Sequence, residues 1–140
     1  MKSTIPFKKR AVILLGLLGA QYFLGVVTEL YVTFPENNTS SQNWDYAKSQ
    51  IILMSHIVLG IFILAIALML FVRAYRAKDR VWKIASGLGL GSIMLAAASG
   101  AEFVSSQRGA YSLIMAVLLI PAVSSYGWVL YHDRAVSINN

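Results

Sequence analysis

Apolar residues run along this chain in four long blocks, without the alternating or 3.6-residue stripes of a soluble protein. The first covers about 11–32 and is broken only by Gln21, Thr28 and Glu29; the second covers about 50–72, with Ser55 and His56 as its polar members. The third, about 84–104, is rich in Gly, Ala and Ser and has Glu102 near its end, and the fourth runs over about 110–131. Each block is roughly 20 residues, enough at ~1.5 Å rise per residue to cross a hydrocarbon layer of about 30 Å. A backbone surrounded by lipid has to satisfy its own hydrogen bonds, so each block is expected to be a helix. The pattern predicts an all-α fold, a four-transmembrane-helix bundle that forms one integral membrane domain over residues 1–140.

Composition agrees with this pattern. Of 140 residues, 57% are hydrophobic and 13% charged, about half the charged share of a soluble domain. The basic flank Lys8-Lys9-Arg10 before the first block also fits a signal peptide. The apolar run is longer than an h-region and no Ala-x-Ala pattern follows it, which favours an uncleaved first helix.

Twelve basic residues against six acidic ones give a net charge of +6, and their placement gives it meaning. Lys2, Lys8, Lys9 and Arg10 precede the first span, Arg73, Arg76, Lys78, Arg80 and Lys83 fill the link between spans two and three, and Arg134 follows span four. Only Lys48 and Arg108 lie elsewhere. The positive-inside rule then places both termini in the cytoplasm and the chain in the inner (cytoplasmic) membrane as a multi-pass protein. The basic excess is a topology signal that suits anionic headgroups and implies no nucleic-acid partner. The expected partners are the lipid bilayer and a homo-oligomer or larger membrane complex.

On this orientation, 33–48 is read as a polar outer loop. Pro35 closes the first helix, Trp44 and Tyr46 anchor at the interface, and Asn37 and Asn38 each begin an Asn-x-Ser/Thr pattern. Gly87 and Gly91 form a small-xxx-small pair that marks the third span as the most buried. Gly16 and Gly19 are expected to serve packing in the same way, and Pro121 is expected to kink the fourth span, with Ser124 and Ser125 near the freed groups.

Candidate chemistry lies in the polar residues inside the spans. An ionisable group near the centre of a bilayer costs about 2.5–3.5 kcal/mol on insertion scales, which makes such groups functional candidates. Glu29, His56 and Glu102 all fall in the outer third of the membrane on three different helices, with His56 about 9 Å below the start of its span. Gln21, Gly25 and Glu29 share one face of the first helix, Ser49, His56 and Gly60 one of the second, and Ser92, Ser99 and Glu102 one of the third. Tyr111 and Met115 lie one turn apart at similar depth on the fourth. The expected picture is an outward-opening polar pocket in which His56 pairs with Glu29 or Glu102, the three forming a buried polar cluster or a metal site. Cysteine is absent and His132 lies at the opposite edge, so no other histidine or thiolate within the chain joins this group.

An outer loop after helix one, a histidine on the outer side of helix two, a basic cytoplasmic link and a short outer turn resemble one four-helix half of haem A synthase. In that family each half offers a histidine from its second and its fourth helix to a haem, with an acidic residue nearby. The resemblance implies that His56 is an axial ligand of a haem b. The helix-four histidine is missing here, and Met115 or Tyr111 stands at a suitable depth instead. The glutamates also lie on other helices than the histidine.

Three classes of function fit the sequence. One is a haem- or metal-binding membrane protein in respiratory electron transfer or haem handling. Another is a non-catalytic membrane subunit or assembly factor, its polar cluster holding helices together. The third is a proton or cation translocation element. Hydrolytic enzyme chemistry has no motif to stand on, since the chain has no Ser–His–Asp constellation, phosphate loop or zinc motif.

Overall fold

A computed structural model describes residues 5–36 and 38–138 of the chain, with side chains within 7–132; Lys2 and Asn37 lie outside the described residues and Arg134 outside the described side chains. Five helices appear: α1 (Ile5–Tyr31), α2 (Ser40–Ser49), α3 (Ile51–Arg76), α4 (Arg80–Ser106) and α5 (Gly109–Ile138). Four of them are long and apolar enough to cross a membrane, over Phe7–Tyr31, Ile51–Arg76, Arg80–Ser106 and Gly109–His132. The chain is a small polytopic membrane protein built as an all-α four-helix bundle.

The long helices form a ring in which α1 touches α3, α3 touches α4, α4 touches α5, and α5 closes back on α1. Among the described residues, the backbones of the diagonal pairs α1/α4 and α3/α5 do not approach within 8 Å, and Phe7 of α1 reaches Trp82 of α4 only through its side chain. The α4–α5 contact is the most extensive, and α4 is the most buried span, as its small residues predicted. The glycine that permits this approach is Gly89. A Cβ there would overlap the Tyr126 ring and come within 2.9 Å of Ser125 Oγ. Gly87 faces Phe71 of α3, whereas Gly91, Gly16 and Gly19 have open space beside them, so the expected Gly87/Gly91 packing pair is only half used.

The main core is apolar, with both aliphatic and aromatic members, and concentrated toward the basic end. Leu14, Ile63, Leu70, Val129, Trp82 and Tyr126 are fully buried, and Phe7 packs on Trp82 with ring centroids 5.3 Å apart. Pro121 sits inside a continuous α5, and Ser125 donates to the carbonyl of Ala122, not to the Val117 carbonyl that the proline disturbs.

The outer segment departs from the sequence reading. Residues 40–49, expected to be solvated loop, form α2, which packs on α3 and α4. Thr39 caps this helix reciprocally with Gln42: each residue's side chain takes the other's backbone N–H. Asn43 and Ala47, one turn apart, are the buried face of α2. Around them a second small core forms from Ala47, Leu53 and Val104, with Phe34 and Trp44 packed against it. At the basic end, Asp79 caps α4 by accepting from the N–H groups of Val81 and Trp82.

The glycine geometry sets a test. Gly89→Val should lower the thermal midpoint of the detergent-solubilised protein, an overpacking cost of about 1–3 kcal/mol. Gly91→Ala should leave the midpoint in place, because nothing lies within 4 Å of the added methyl.

Candidate outer pocket and the Gln21–His56 pair

Two polar features occupy the half of the bundle away from the basic end, the half expected to face outward. The deeper one joins α1 to α3. Gln21 Nε2 lies 3.1 Å from the carbonyl oxygen of His56 and 3.3 Å from its Nε2. A carbonyl oxygen only accepts, so the amide nitrogen must be the atom that faces it. That same nitrogen can pair with the ring only if Nε2 accepts, which puts the imidazole proton of a neutral His56 on Nδ1. Glycines on both helices make room for the pair. A Cβ on Gly25 would come within 3.1 Å of His56 Cε1, and one on Gly60 within 3.1 Å of Gln21 Nε2. His56 Nδ1 and Gln21 Oε1 are buried without partners.

His56 is expected to reach Glu29 or Glu102 directly or through one water; its direct partner is instead Gln21. Glu29 is exposed and accepts a 3.1 Å hydrogen bond from Ser112 of α5. Glu102 is exposed near the end of α4. Among the described residues no three His, Asp or Glu side chains converge on a point that could hold a metal ion, so Glu29, His56 and Glu102 do not make the expected metal site. Met115 packs its sulfur against Gly100 of α4, and Tyr111 lies half-buried on the same helix, α5. His56 stands on α3 and these two residues on α5, diagonal helices whose backbones do not approach within 8 Å. Ser49 ends α2 and does not extend the His56–Gly60 face, and Ser92 and Ser99 donate back to the carbonyls of Leu88 and Leu95 of their own helix.

The shallower feature is a pocket of about 530 Å³ at the end of the bundle opposite the α3–α4 turn. Thr28 and Glu29 of α1, Glu36 and Asn38 of the following loop, Asn43 of α2 and the 105–107 end of α4 contribute to its wall. Trp44 Nε1 donates to Ser105 Oγ at 3.1 Å, and Tyr46 donates to the Thr33 carbonyl at 2.8 Å, so α2 is pinned to both α4 and the loop. Phe34 and Phe103 also line the pocket, their rings edge to face with centroids 6.3 Å apart. Gln107 ends α4 in the left-handed region at φ 57° and donates its amide to the Val104 carbonyl.

The chemistry of this wall is one-sided. No lysine or arginine lines it, while two carboxylates do. α1 and α4 both end at it, bringing the negative ends of two helix dipoles. Asn43 is 2% exposed, and its Oδ1 is buried without a hydrogen-bond partner. An orphaned buried amide oxygen costs about 1–3 kcal/mol, so a donor that reached it would be favoured. The pocket shares only Glu29 with the expected Glu/His cluster. The sequence signal for Asn43 is the capping box Thr39-x-x-Gln42, which starts a helix in a segment expected to be loop; Glu36, in the loop before it, carries no such signal.

Comparison with family models, with characterised proteins and with solved structures finds no match for this chain.

The Gln21–His56 geometry yields its own expectation. Gln21→Leu should destabilise the bundle by about 1–3 kcal/mol through the unpaired His56 acceptor, and the Gln21→Leu/His56→Leu double variant should cost less than the sum of the single changes. A cycle between His56 and Glu29 should show no coupling. Detergent unfolding of the single and double variants reads both.

Proposed function

We propose that this protein is a ligand-binding, non-catalytic component of the cytoplasmic membrane, with both termini inside, that captures a small organic ammonium ion in its outward pocket. The observation that carries this reading is the buried, unpartnered Oδ1 of Asn43 in a pocket lined by Glu29 and Glu36 and by no basic side chain. An ammonium group supplies the N–H donors that Asn43 lacks and the charge that the carboxylates and helix C-termini favour. Phe34 and Phe103 add apolar and cation–π surface for an organic substituent. A pocket of about 530 Å³ matches a small organic molecule better than a bare ion. Beneath the pocket the bundle is mainly apolar, which supports capture of a ligand at the pocket itself.

Equilibrium dialysis of the purified full chain against phenethylammonium and against its neutral counterpart 2-phenylethanol tests the reading. The ammonium should bind and the alcohol should not. Asn43→Leu should weaken binding about tenfold, and Glu29→Gln or Glu36→Gln, being exposed, about two- to fivefold each. Equal binding of the two probes, or none, overturns the proposal. A Soret band in protein purified from haem-replete cells would instead direct attention back to His56.

A further inference from the structure

At the opposite end of the bundle, the turn between α3 and α4 forms a cup of about 550 Å³ lined by Tyr75, Lys78, Arg80, Lys83 and Ile84. Its charge is all of one sign. Asp79, the acidic residue of the turn, spends its carboxylate on the N–H groups of Val81 and Trp82. No carboxylate lies within ion-pair distance of Lys78, Arg80 or Lys83 among the described residues, where the ion pair formed is the distant Lys48–Asp45. Lys83 holds its ammonium 5.6 Å from the centroid of the Tyr75 ring, which fixes one side of the cup. Lys78 is held in the left-handed region at φ 56°, where the chain turns from α3 toward α4.

The wall is not only cationic. Tyr75 is 63% and Ile84 48% exposed, and both belong to the ends of membrane-spanning helices. Basic groups above exposed aromatic and aliphatic surface, at the level where a span leaves the bilayer, match the order of groups in a lipid. The phosphate meets the cations, and the glycerol and upper chain meet the apolar wall. A free phosphate would use only the upper half of this surface.

We propose that the Tyr75–Ile84 cup is a binding site for the phosphate headgroup of an anionic phospholipid, held by Lys78, Arg80 and Lys83 and seated on Tyr75 and Ile84. The site stands apart from the outer pocket and is independent of what that pocket binds. It differs from general surface attraction in one respect: Arg73 and Arg76 carry the same charge on the same helix end but do not line the cup.

Native mass spectrometry of the full chain, released from detergent containing phosphatidylglycerol or phosphatidylcholine, separates these cases. Phosphatidylglycerol should be retained in preference to phosphatidylcholine. The Lys78→Gln/Arg80→Gln variant should lose that preference by about fivefold for each charge removed. The charge-matched Arg73→Gln/Arg76→Gln variant should keep it, with far-ultraviolet circular dichroism confirming that both remain folded. Equal losses in the two variants, or no preference in the parent chain, overturn a specific site. Full displacement of the lipid by inorganic phosphate would show a free-anion site and overturn the lipid assignment.

Discussion

Hydrocarbon accepts no hydrogen bonds, and most features of this bundle are responses to that fact. It forces the four spans into helices, and it also governs their hydroxyls. Thr28, Ser55, Ser92 and Ser99 each donate to the carbonyl one turn back, at Leu24, Ile51, Leu88 and Leu95. These groups are satisfied within their own helix and ask nothing of a neighbour. An imidazole and a primary amide cannot be satisfied in this way. Gln21 and His56 therefore meet across the α1–α3 interface, and Gly25 and Gly60 clear the space for them. Elsewhere the helices associate through close packing, with Gly89 against Tyr126 as its tightest point.

The two ends of the bundle are finished differently. At the basic end, α3 and α4 are joined by a tight turn whose one carboxylate is consumed as a helix cap, leaving its cations without acidic partners among the described residues. At the other end, a ten-residue helix folds back over the spans and is held by Trp44, Tyr46 and a small core of its own. The lysine it carries is paired to its own Asp45 and does not neutralise the nearby glutamates. The charge asymmetry that predicts topology thus also leaves a cation-lined cup on one side and an acceptor-lined pocket on the other.

The four spans were legible because twenty apolar residues in succession have one structural solution in lipid, and the observed helices cover the expected blocks to within one residue, extended mainly at the basic end. The helix over 40–49 was not, because a short polar segment carries no hydrophobic block and its signal is confined to Thr39 and Gln42. Site prediction failed for a related reason. Depth along each span can be counted from sequence, and it placed Glu29, His56 and Glu102 at similar levels. The rotation of each helix cannot be counted. Rotation turned His56 toward Gln21, left Glu102 exposed, and set Glu29 beside Ser112. Gln21 and Gly25 had been placed on one face with Glu29, so part of the true arrangement was visible along α1.

That face of α1 also bears on what the outer pocket can do. Thr28 lies in the pocket wall, and Gln21 follows two turns deeper, roughly 10 Å by helical rise. Below Gln21 the inward positions of α1 are Leu18, Leu14 and Ala11, and those of α3 are Ile63, Ala67 and Leu70. α4 and α5 close the same layer with Leu90, Ile93, Ala122 and Val129. A charged solute at the pocket faces this layer as a barrier of the same kind that keeps charges out of the bilayer centre, about 2.5–3.5 kcal/mol even on insertion scales and more without water to follow it. The same layer also holds buried hydroxyls, those of Ser86 on α4 and of Ser125 and Tyr126 on α5. Gln21 and His56 lie below the pocket and do not line it, so the polar stripe of α1 ends in a side-chain pair that ties α1 to α3.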